Sequence, residues 1–263
     1  MARLLIFGPG YTASRIAAAA ESRGFAVDRI GRARLTDGDG VAAAIGRATH
    51  ILSSVPPEGD GEPVLDRYAD ALGGADAAWI GYLSSTGVYG DAQGAWVDES
   101  APVGQGRRTA RSAADQTWAA LHPQARIFRL PGIYGPGRSP LDRVRAGQAH
   151  RVDLPGQVFS RIHVDDIVGA VLASFDQGPP GIYNIADDRP VSQNRVVEAA
   201  CALLGIAPPP LLPIEQAGLS PMARAFYAEN RRVANGKAKR LLGWAPHYPD
   251  YRAGLAALFA EGA

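Results

Sequence analysis

The sequence predicts a doubly wound α/β fold, in which a parallel sheet carries helices on both faces. Two observations support this prediction. Short, continuously apolar runs alternate with longer segments of helical periodicity, as expected when each strand is buried on both sides. In addition, a glycine turn with the sequence GPG follows the first apolar run and opens an alanine-rich helix, which is how a right-handed crossover between parallel strands begins.

The individual elements follow from these patterns in chain order. Apolar runs predict strands over residues 4–7, 25–30, 50–52, 79–83 and 126–130, and helical spacing predicts helices over 12–23, 40–47, 63–72 and 108–121. Beyond Pro131 the loops are rich in glycine and proline. There the pattern predicts a helix at 164–175, a strand at 182–185, a helix at 192–204 and a basic helical segment near 237–242. The last third is therefore expected to form a smaller cap on the sheet.

Composition restricts the class of partner. The chain has 263 residues, 46% of them hydrophobic, and a formal net charge of +1, so we expect no broad basic surface for nucleic acid or an anionic membrane. The N-terminus lacks an apolar leader, no run is long enough to cross a membrane, and the single cysteine, Cys201, excludes an internal disulfide. The histidines show no metal-ligand spacing. We expect a cytoplasmic protein with a small-molecule substrate and no metal.

Gly8, Gly10 and Ala13 have the G-x-G-x-x-[G/A] spacing of a dinucleotide-binding turn. The first glycine permits the tight turn, the second lets a pyrophosphate approach the backbone, and the small third residue lets the helix pack on the strand. A purely structural glycine turn and the loop of a methyltransferase in a related fold are the alternatives. The position of the motif between an apolar strand and a helix favours a dinucleotide.

The end of the second predicted strand distinguishes NAD from NADP. An acidic side chain about 20 residues after the glycines binds the ribose of NAD, whereas this strand ends in the sequence IGRAR. Arg32 and Arg34 can bind a 2′-phosphate through paired hydrogen bonds, which favours NADP. Asp28 lies within the same strand and would favour NAD if the strand boundary is shifted.

Five motifs follow one another along the chain: GPGYTA from Gly8, YLSSTGVYGD from Tyr82, RLPGIYGPGR from Arg129, RIHVDD from Arg161 and YNIADD from Tyr183. With these motifs the chain resembles the extended or atypical branch of the short-chain dehydrogenase/reductase superfamily, of the NAD-dependent epimerase/dehydratase type. The resemblance implies a Rossmann-type sheet with a small C-terminal cap, in one unit over residues 1–263. Residues of about 1–131 plus 157–186 would form the dinucleotide-binding core, and about 132–156 plus 187–250 the substrate-binding cap.

The resemblance also assigns roles to residues. Ser85, four residues before the tyrosine of the VYG turn, would be the hydroxyl that polarises a substrate carbonyl, although a serine there can equally cap the end of the strand. Basic residues of the cap, Arg231, Arg232 and Lys237, are candidates for substrate contacts. The residues expected to contact the cofactor are Gly8, Gly10, Tyr11, Thr12, Ala13, Arg32, Arg34, Ser54, Ser84, Pro131 and Ile133.

The superfamily's catalytic pair, a tyrosine with a lysine four residues later, is missing where spacing would place it. Arg107 occupies the tyrosine position and Arg111 the lysine position. Arg111 can replace lysine as a cation and donor, but Arg107 cannot release a proton near neutral pH. Both are expected to face the cofactor crevice, because they border the inward stripe of their helix, namely Ala110, Ala114, Thr117, Trp118 and Leu121. A surface cluster with Asp98, Glu99 or Asp115 is the alternative.

Three tyrosines lie near enough in sequence to substitute as proton donor: Tyr11, Tyr89 and Tyr134. The last two belong to turns where the superfamily keeps a tyrosine for packing or substrate contact. We therefore expect none of the three to be the proton donor.

Two functions agree with these features. The first is an NADP-dependent oxidoreductase or epimerase/dehydratase that acts on a small polar or anionic substrate, a class that includes sugar nucleotides, with Ser85, Arg107 and Arg111 in the active site. The second is a non-catalytic NADP-binding sensor or interaction protein. The missing tyrosine favours the second, and the otherwise complete set of crevice motifs favours the first. We expect an enzyme, and the resemblance allows a homodimer.

Overall fold

The computed structural model describes residues 1–104, 106 and 109–262. Its strands are, in chain order, β1 (Arg3–Phe7), β2 (Ala26–Ile30), β3 (His50–Ser53), β4 (Trp79–Ser85), β5 (Trp96–Val97), β6 (Ala125–Leu130), β7 (Gly132–Tyr134), β8 (Arg151–Val152), β9 (Arg161–His163), β10 (Gly181–Asn184), β11 (Leu211–Leu212) and β12 (Arg232–Val233). Its α-helices are α1 (Tyr11–Ser22), α2 (Gly38–Arg47), α3 (Leu65–Gly73), α4 (Thr109–Leu121), α5 (Pro140–Arg145), α6 (Val164–Ala173), α7 (Gln193–Leu204), α8 (Pro221–Phe226), α9 (Gly236–Leu242) and α10 (Tyr251–Ala260).

Within the described residues, six parallel strands form the central sheet in the order β10-β6-β4-β3-β1-β2. This is the Rossmann-type doubly wound fold that the sequence predicts. The chain passes from β1 outward to β2 and then returns to β3 on the other side of β1, so the strand order reverses there. A ligand crevice is expected outside the carboxyl ends of the strands at such a reversal.

The sheet is covered on both faces, which explains why its strands are continuously apolar. Leu4 and Ile6 of β1 pack in the layer that contains α1 and α6, whereas the intervening Leu5 and Phe7 pack in the layer that contains α2 and α3. Successive side chains of a strand point to opposite faces, so burial on both sides requires apolar residues at every position. The five strands predicted for residues 1–130 are confirmed, with boundaries within two residues.

The cap has a hydrophobic cluster of its own. Leu141 of α5, Val197 of α7 and Leu255 of α10 belong to it. The parallel pair of β7 and β9 connects the cap to the end of β6. Helix α9 instead packs on α6 and β10, with Ala238 and Leu242 buried in the sheet's own core.

The structure contains helices that the sequence pattern did not predict. Helices α5 and α8 have 6 residues each, which is too short for periodicity to reveal. Both carry a start signal, because a serine N-cap precedes a proline, at Ser139 and Ser220. Helix α4 begins at Thr109 in the described residues, and its predicted start, Arg108, lies outside them.

Among the described helices none is long and apolar enough to cross a membrane. Cys201 is a free, buried thiol. In the described parts of the chain, no group of three or more histidine, cysteine or acidic side chains could hold a metal ion.

Candidate functional site

A cavity of about 940 Å³ opens at the carboxyl ends of the sheet strands and extends into the cap. Residues that follow or end β1, β3, β4 and β6 line it, as expected at the reversal of strand order. The predicted site residues that it brings together are Gly10, Tyr11, Thr12, Ser54, Ser84, Ser85, Arg111, Pro131 and Ile133.

The turn between β1 and α1 has the backbone geometry that a pyrophosphate needs. Gly8 has a φ of +73°, and a Cβ at this position would lie 2.9 Å from Cγ2 of Val55, so only glycine is accommodated. A Cβ at Gly10 would meet no atom closer than the Gly8 carbonyl oxygen, at 3.9 Å. No side chain caps α1, so its first N–H groups can bind an anion. These residues therefore fit a dinucleotide diphosphate.

Three of the predicted cofactor contacts shape this turn. The Ser54 hydroxyl donates a hydrogen bond to the Gly8 carbonyl oxygen at 2.6 Å, which holds the turn against the end of β3. Ala13 is fully buried, where its small side chain lets α1 pack on the sheet. Gly8 and Ala13 do not belong to the cavity wall, and their contribution to a ligand would be indirect.

The two serines that end β4 have different partners. Ser85 is the N-cap of the short 3₁₀-helix Thr86–Tyr89: its Oγ accepts a hydrogen bond from the Gly87 N–H at 3.1 Å. The proton of this hydroxyl remains available to a ligand in the cavity. Ser84 is buried, and its hydroxyl donates to Asp115 at 2.5 Å. A cofactor contact through the Ser84 hydroxyl would therefore compete with a buried carboxylate.

Arg111 lines the cavity and donates a hydrogen bond to the Tyr82 hydroxyl at 3.1 Å. Burial raises the pKa of Tyr82 to about 12, so this phenol stays protonated near neutral pH. Arg107, the predicted counterpart of Arg111 one helical turn earlier, lies outside the described residues. Asp115 does not pair with Arg111, because it forms a buried ion pair with Arg129.

The inward face of α4 differs from the predicted stripe. Thr117 is exposed and Ala110 only half-buried, whereas Ser112 and Asp115 are buried beside Ala114 and Trp118. The physical reason is the ion pair with Arg129 of β6, which turns the carboxylate of Asp115 toward the sheet.

The structure shows what the three tyrosines near the predicted catalytic position contact. The hydroxyl of Tyr89 donates to Asn184 at 2.8 Å and accepts from Arg129 at 3.0 Å, in a buried network outside the cavity wall. Tyr134 is also buried and outside the wall, and burial raises its pKa strongly. Tyr11 lines the cavity, but its hydroxyl donates to the Pro136 carbonyl oxygen at 2.9 Å.

The arginines after β2 form ion pairs and do not line the cavity. Arg32 contacts Glu58 at 2.6 Å and Arg34 contacts Asp28 at 2.9 Å. Asp28 lies opposite Leu5 of β1, two residues before the end of β2, and the strand ends at Ile30 as predicted.

Sequence analysis missed several residues of the cavity wall, which come from the cap and from the loop before β9. They are Arg138, Arg143, His150, Phe159, Arg161, Gln193, Phe226 and Tyr227. Arg138 and Arg161 belong to the motifs RLPGIYGPGR and RIHVDD, but no motif marks these eight residues as one wall, since they are spread over almost 90 residues and meet only in the folded chain. Of the three basic cap residues proposed as substrate contacts, Arg231 lines the cavity. Arg232 bonds the Gly94 carbonyl, and Lys237 lies over the Tyr183 ring.

Comparison with curated proteins identifies relatives over part of the chain, while no family model matches. The 3-diazoavenalumate denitrifying reductase of a Streptomyces species is 31% identical over 140 residues, which are 49% of this chain and 45% of that protein. Protein YeeZ of Escherichia coli is 31% identical over 179 residues, 64% of this chain and 58% of that protein. The matches thus span about half the length of these curated relatives.

Solved structures match over the whole chain. A functionally unknown conserved protein from Silicibacter pomeroyi DSS is 40% identical, with a TM-score of 0.88 and 99% of both chains covered. A human epimerase family protein solved with NADPH is 18% identical, with a TM-score of 0.79 over 99% of this chain and 100% of that one. The dTDP-glucose 4,6-dehydratase of Bacillus anthracis, solved with NAD, is 16% identical, with a TM-score of 0.75 over 99% and 96% of the chains. The last two likenesses show a shared fold.

Proposed function

We propose that this protein is a cytoplasmic oxidoreductase or epimerase/dehydratase. The chain belongs to the same family as the Silicibacter pomeroyi protein and has the fold of the extended short-chain dehydrogenase/reductase proteins. It binds a nicotinamide dinucleotide, NADP in preference to NAD, and acts on a small polar or anionic substrate. Solved structures with this fold contain NADPH or NAD, which supports a nicotinamide cofactor, and the reductase name of the Streptomyces relative supports redox chemistry.

One observation carries the proposal: the glycine turn, the Ser85 hydroxyl and the Pro131–Ile133 loop converge on one cavity. They come from the carboxyl ends of β1, β4 and β6, far apart in sequence, and Gly10, Ser85 and Pro131 all contribute to its wall. A structural glycine turn would not require the other two groups to face it. The convergence therefore supports a dinucleotide site with a reaction centre beside it.

The chain's own residues supply binding and polarisation. Gly10, Tyr11 and Thr12 would hold the diphosphate at the start of α1, and Pro131 and Ile133 would pass beside the nicotinamide, which supplies or accepts a hydride when bound. The Ser85 hydroxyl donates to a substrate oxygen that gains negative charge. Arg111 adds a positive charge on the same wall.

The arginines after β2 support the choice of NADP. The Arg32 side chain is 88% exposed, and its ion pair with Glu58 is at the surface. Such a pair contributes about 0–1 kcal/mol, so a 2′-phosphate can displace the carboxylate. Arg34 meanwhile holds Asp28, the acidic residue that would otherwise favour NAD.

Calorimetric titration with NADPH and NADH tests the cofactor assignment. We expect tight NADPH binding, weaker NADH binding, and a loss of at least about tenfold in NADPH affinity for Arg32→Ala. Arg29→Ala is the control, because Arg29 lies within β2, before the strand end at which the ribose is expected, and pairs with Glu21 of α1 at 2.9 Å. If neither nucleotide binds, the dinucleotide assignment is wrong.

Catalysis is tested by measuring the rate at which the protein oxidises NADPH when fractions of small metabolites are added. We expect Ser85→Ala to slow turnover by about 10²-fold through loss of a hydrogen bond to the developing oxyanion. Turnover should survive Tyr89→Phe and Tyr134→Phe, since neither residue lines the cavity. NADPH binding without oxidation by any fraction would support the non-catalytic alternative instead.

A further inference from the structure

The part of the cavity wall that comes from residues 143–231 has an excess of positive charge. We name this part the cap pocket and define it by Arg143, His150, Phe159, Arg161, Tyr227 and Arg231, which all line the cavity. Among the described residues of the wall, Glu229 is the one carboxylate, and it pairs with Arg231 at 2.8 Å. The charges of Arg143 and Arg161 are therefore not balanced from within the wall.

Arg161 is the most informative of these residues because it is only 7% exposed. Its guanidinium donates to the carbonyl oxygens of Phe159 and Val191 at 2.9 and 3.1 Å, and to the side chain of Gln193 at 3.0 Å. These acceptors are neutral, and no described carboxylate accepts a hydrogen bond from Arg161. A buried cation fixed by neutral acceptors at the wall of a cavity is stabilised by an anionic ligand.

Asp187 is the acidic group that acts on Arg161 from the sheet side. It is buried and follows β10, and burial raises its pKa to about 7. Desolvation likewise lowers the pKa of Arg161 to about 10. The hydrogen bonds of the Arg161 guanidinium go to neutral acceptors and not to Asp187, so it retains capacity for a ligand.

The rings of the cap pocket surround the same space. Phe159 and Tyr227 pack edge to face, with centroids 5.3 Å apart, and the Tyr227 hydroxyl lies 3.3 Å from Nε2 of His150. Burial, reinforced by the charge of Arg143, lowers the pKa of His150, which favours the neutral imidazole. Burial raises the pKa of Tyr227, and the charges of Arg161 and Arg143 oppose that rise.

The cap pocket adjoins the region assigned to the nicotinamide. The Gly132 N–H donates to the Ser160 carbonyl oxygen at 3.3 Å, next in the chain to Phe159, and β7 pairs with β9, which begins at Arg161. A ligand held against Phe159 would therefore lie beside the Pro131–Ile133 loop.

We propose that the cap pocket binds a small aromatic acid, with its carboxylate at Arg143 and Arg161 and its ring against Phe159 and Tyr227. This inference rests on the proposed function, since it names the substrate class for the cavity beside the dinucleotide. Two cations without a carboxylate partner in the wall select the acid, and the edge-to-face rings select a planar apolar body. An aliphatic acid or an inorganic anion lacks the second feature.

Calorimetry with the full chain and saturating NADP tests the inference, with benzoate, trans-cinnamate and indole-3-acetate as probes. We expect at least one of these acids to bind, and its neutral amide to bind at least about tenfold more weakly. Cyclohexanecarboxylate and inorganic phosphate should also bind more weakly than the best aromatic acid. Equal binding of phosphate or cyclohexanecarboxylate would overturn the aromatic assignment, and failure of all three acids would overturn the site.

Variants place the binding in the cap pocket. Arg143→Gln should weaken the best acid by about tenfold, whereas Arg145→Gln on the same helix should not, because Arg145 is outside the cavity wall and near Asp142. Tyr227→Leu should weaken it by a similar factor, and Phe259→Leu, at an exposed position of α10, should not. Arg143 and Phe259 are at the surface, where a substitution should not unfold the chain. The comparisons therefore need no substitution of the buried Arg161. Equal effects of Arg143→Gln and Arg145→Gln would contradict the proposal.

The same samples separate this inference from the proposed function. NADPH affinity is measured for each variant, and we expect Arg143→Gln and Tyr227→Leu to leave it within about threefold of the parent. Absence of NADPH binding, with acid binding retained, would refute the dinucleotide assignment alone. Retained NADPH binding without acid binding would refute the aromatic acid alone.

Discussion

A buried ion pair fixes the strand end on which the Ser85 hydroxyl lies. Arg129 of β6 donates to both oxygens of Asp115, at 2.6 and 3.1 Å, and Ser84 adds a third hydrogen bond to the same carboxylate. Burial opposes the charge of Arg129, but its hydrogen bonds to Asp115 prevail and raise its pKa. Because β4, β6 and α4 are joined at this point, the pair supports the end of β4 that carries Ser85, although neither Asp115 nor Arg129 lines the cavity.

Removing the carboxylate should be strongly destabilising. Asp115→Ala leaves the guanidinium of Arg129 buried and unpaired, for which we expect a loss of about 3–5 kcal/mol in the free energy of unfolding. Urea denaturation measures this loss. Asp98→Ala is the control. Asp98 is exposed, and its carboxylate accepts hydrogen bonds from Ser100, two residues later in the same loop. A loss below about 1 kcal/mol for Asp115→Ala would show that the pair is not needed for folding.

Asp187 predicts a pH dependence of stability. Its pKa is near 3.8 in an unfolded chain and about 7 in the fold, so between these values the folded state binds more protons than the unfolded state. The free energy of unfolding therefore falls as the pH rises from 4 to 7, and Asp187 accounts for roughly 3–4 kcal/mol of that decline at about 1.4 kcal/mol per pKa unit. Asp187→Asn should flatten this decline when denaturation is measured at a series of pH values, whereas Asp60→Asn, at an exposed position, should not. Parallel curves for the parent and Asp187→Asn would contradict the assigned pKa.

At the scale of elements, backbone conformation distinguishes glycines that look alike in sequence. Gly205 ends α7 in the left-handed region, with a φ of +66°, whereas Gly46 lies within α2 in helical conformation. A Cβ at either position would meet no atom within 4 Å. Any difference between alanine substitutions at the two sites therefore reflects the backbone alone.

Opposite effects are expected for these two substitutions. Gly205→Ala should lower the free energy of unfolding by about 1 kcal/mol, since alanine is strained at positive φ. Gly46→Ala should raise it by about 0.5–1 kcal/mol, through higher helix propensity and a less flexible unfolded chain. Chemical denaturation of the two variants in parallel checks the signs, and the same sign for both would refute the backbone explanation.

The elements themselves were largely predictable from local pattern, and the exceptions have physical causes. Buried strands and most helices of ten or more residues repeat their pattern often enough to be recognised, as in β1, α1 and α7, although α10, with ten residues, was not predicted. Helix α5 escaped recognition because six residues provide less than two turns of periodicity. The predicted inward face of α4 was wrong because that prediction assumes that buried positions are apolar, and Asp115 is buried but charged.

At the scale of the whole molecule, the cavity joins the sheet to the cap. Its wall includes Gly10 and Ser85 from the sheet and Tyr227 from the cap. A ligand that contacts both the sheet and the cap stabilises the folded chain as a unit, by a free energy that rises with the logarithm of its concentration relative to Kd.

Thermal unfolding should therefore respond to NADPH. At a concentration of 100 times Kd, the free energy of unfolding should rise by about 2.7 kcal/mol, which corresponds to an increase in Tm of about 5–10 °C for a chain of this length. Scanning fluorimetry measures the shift, and Arg32→Ala should reduce it at a fixed NADPH concentration. An unchanged Tm at millimolar NADPH would contradict the dinucleotide site at this cavity.

The sequence by itself determined the six strands of the central sheet, the doubly wound fold and the glycine turn, because each depends on the spacing of residues close together in the chain. It also identified Ser85 and Arg111, which both line the cavity. Only the tertiary structure decided which charges are already paired, as with Asp115, and which remain open, as with Arg161. It also assembled the cap pocket, whose residues are separated by up to 88 positions in the chain. Ion pairing and burial depend on distances in space, and local sequence patterns do not encode those distances.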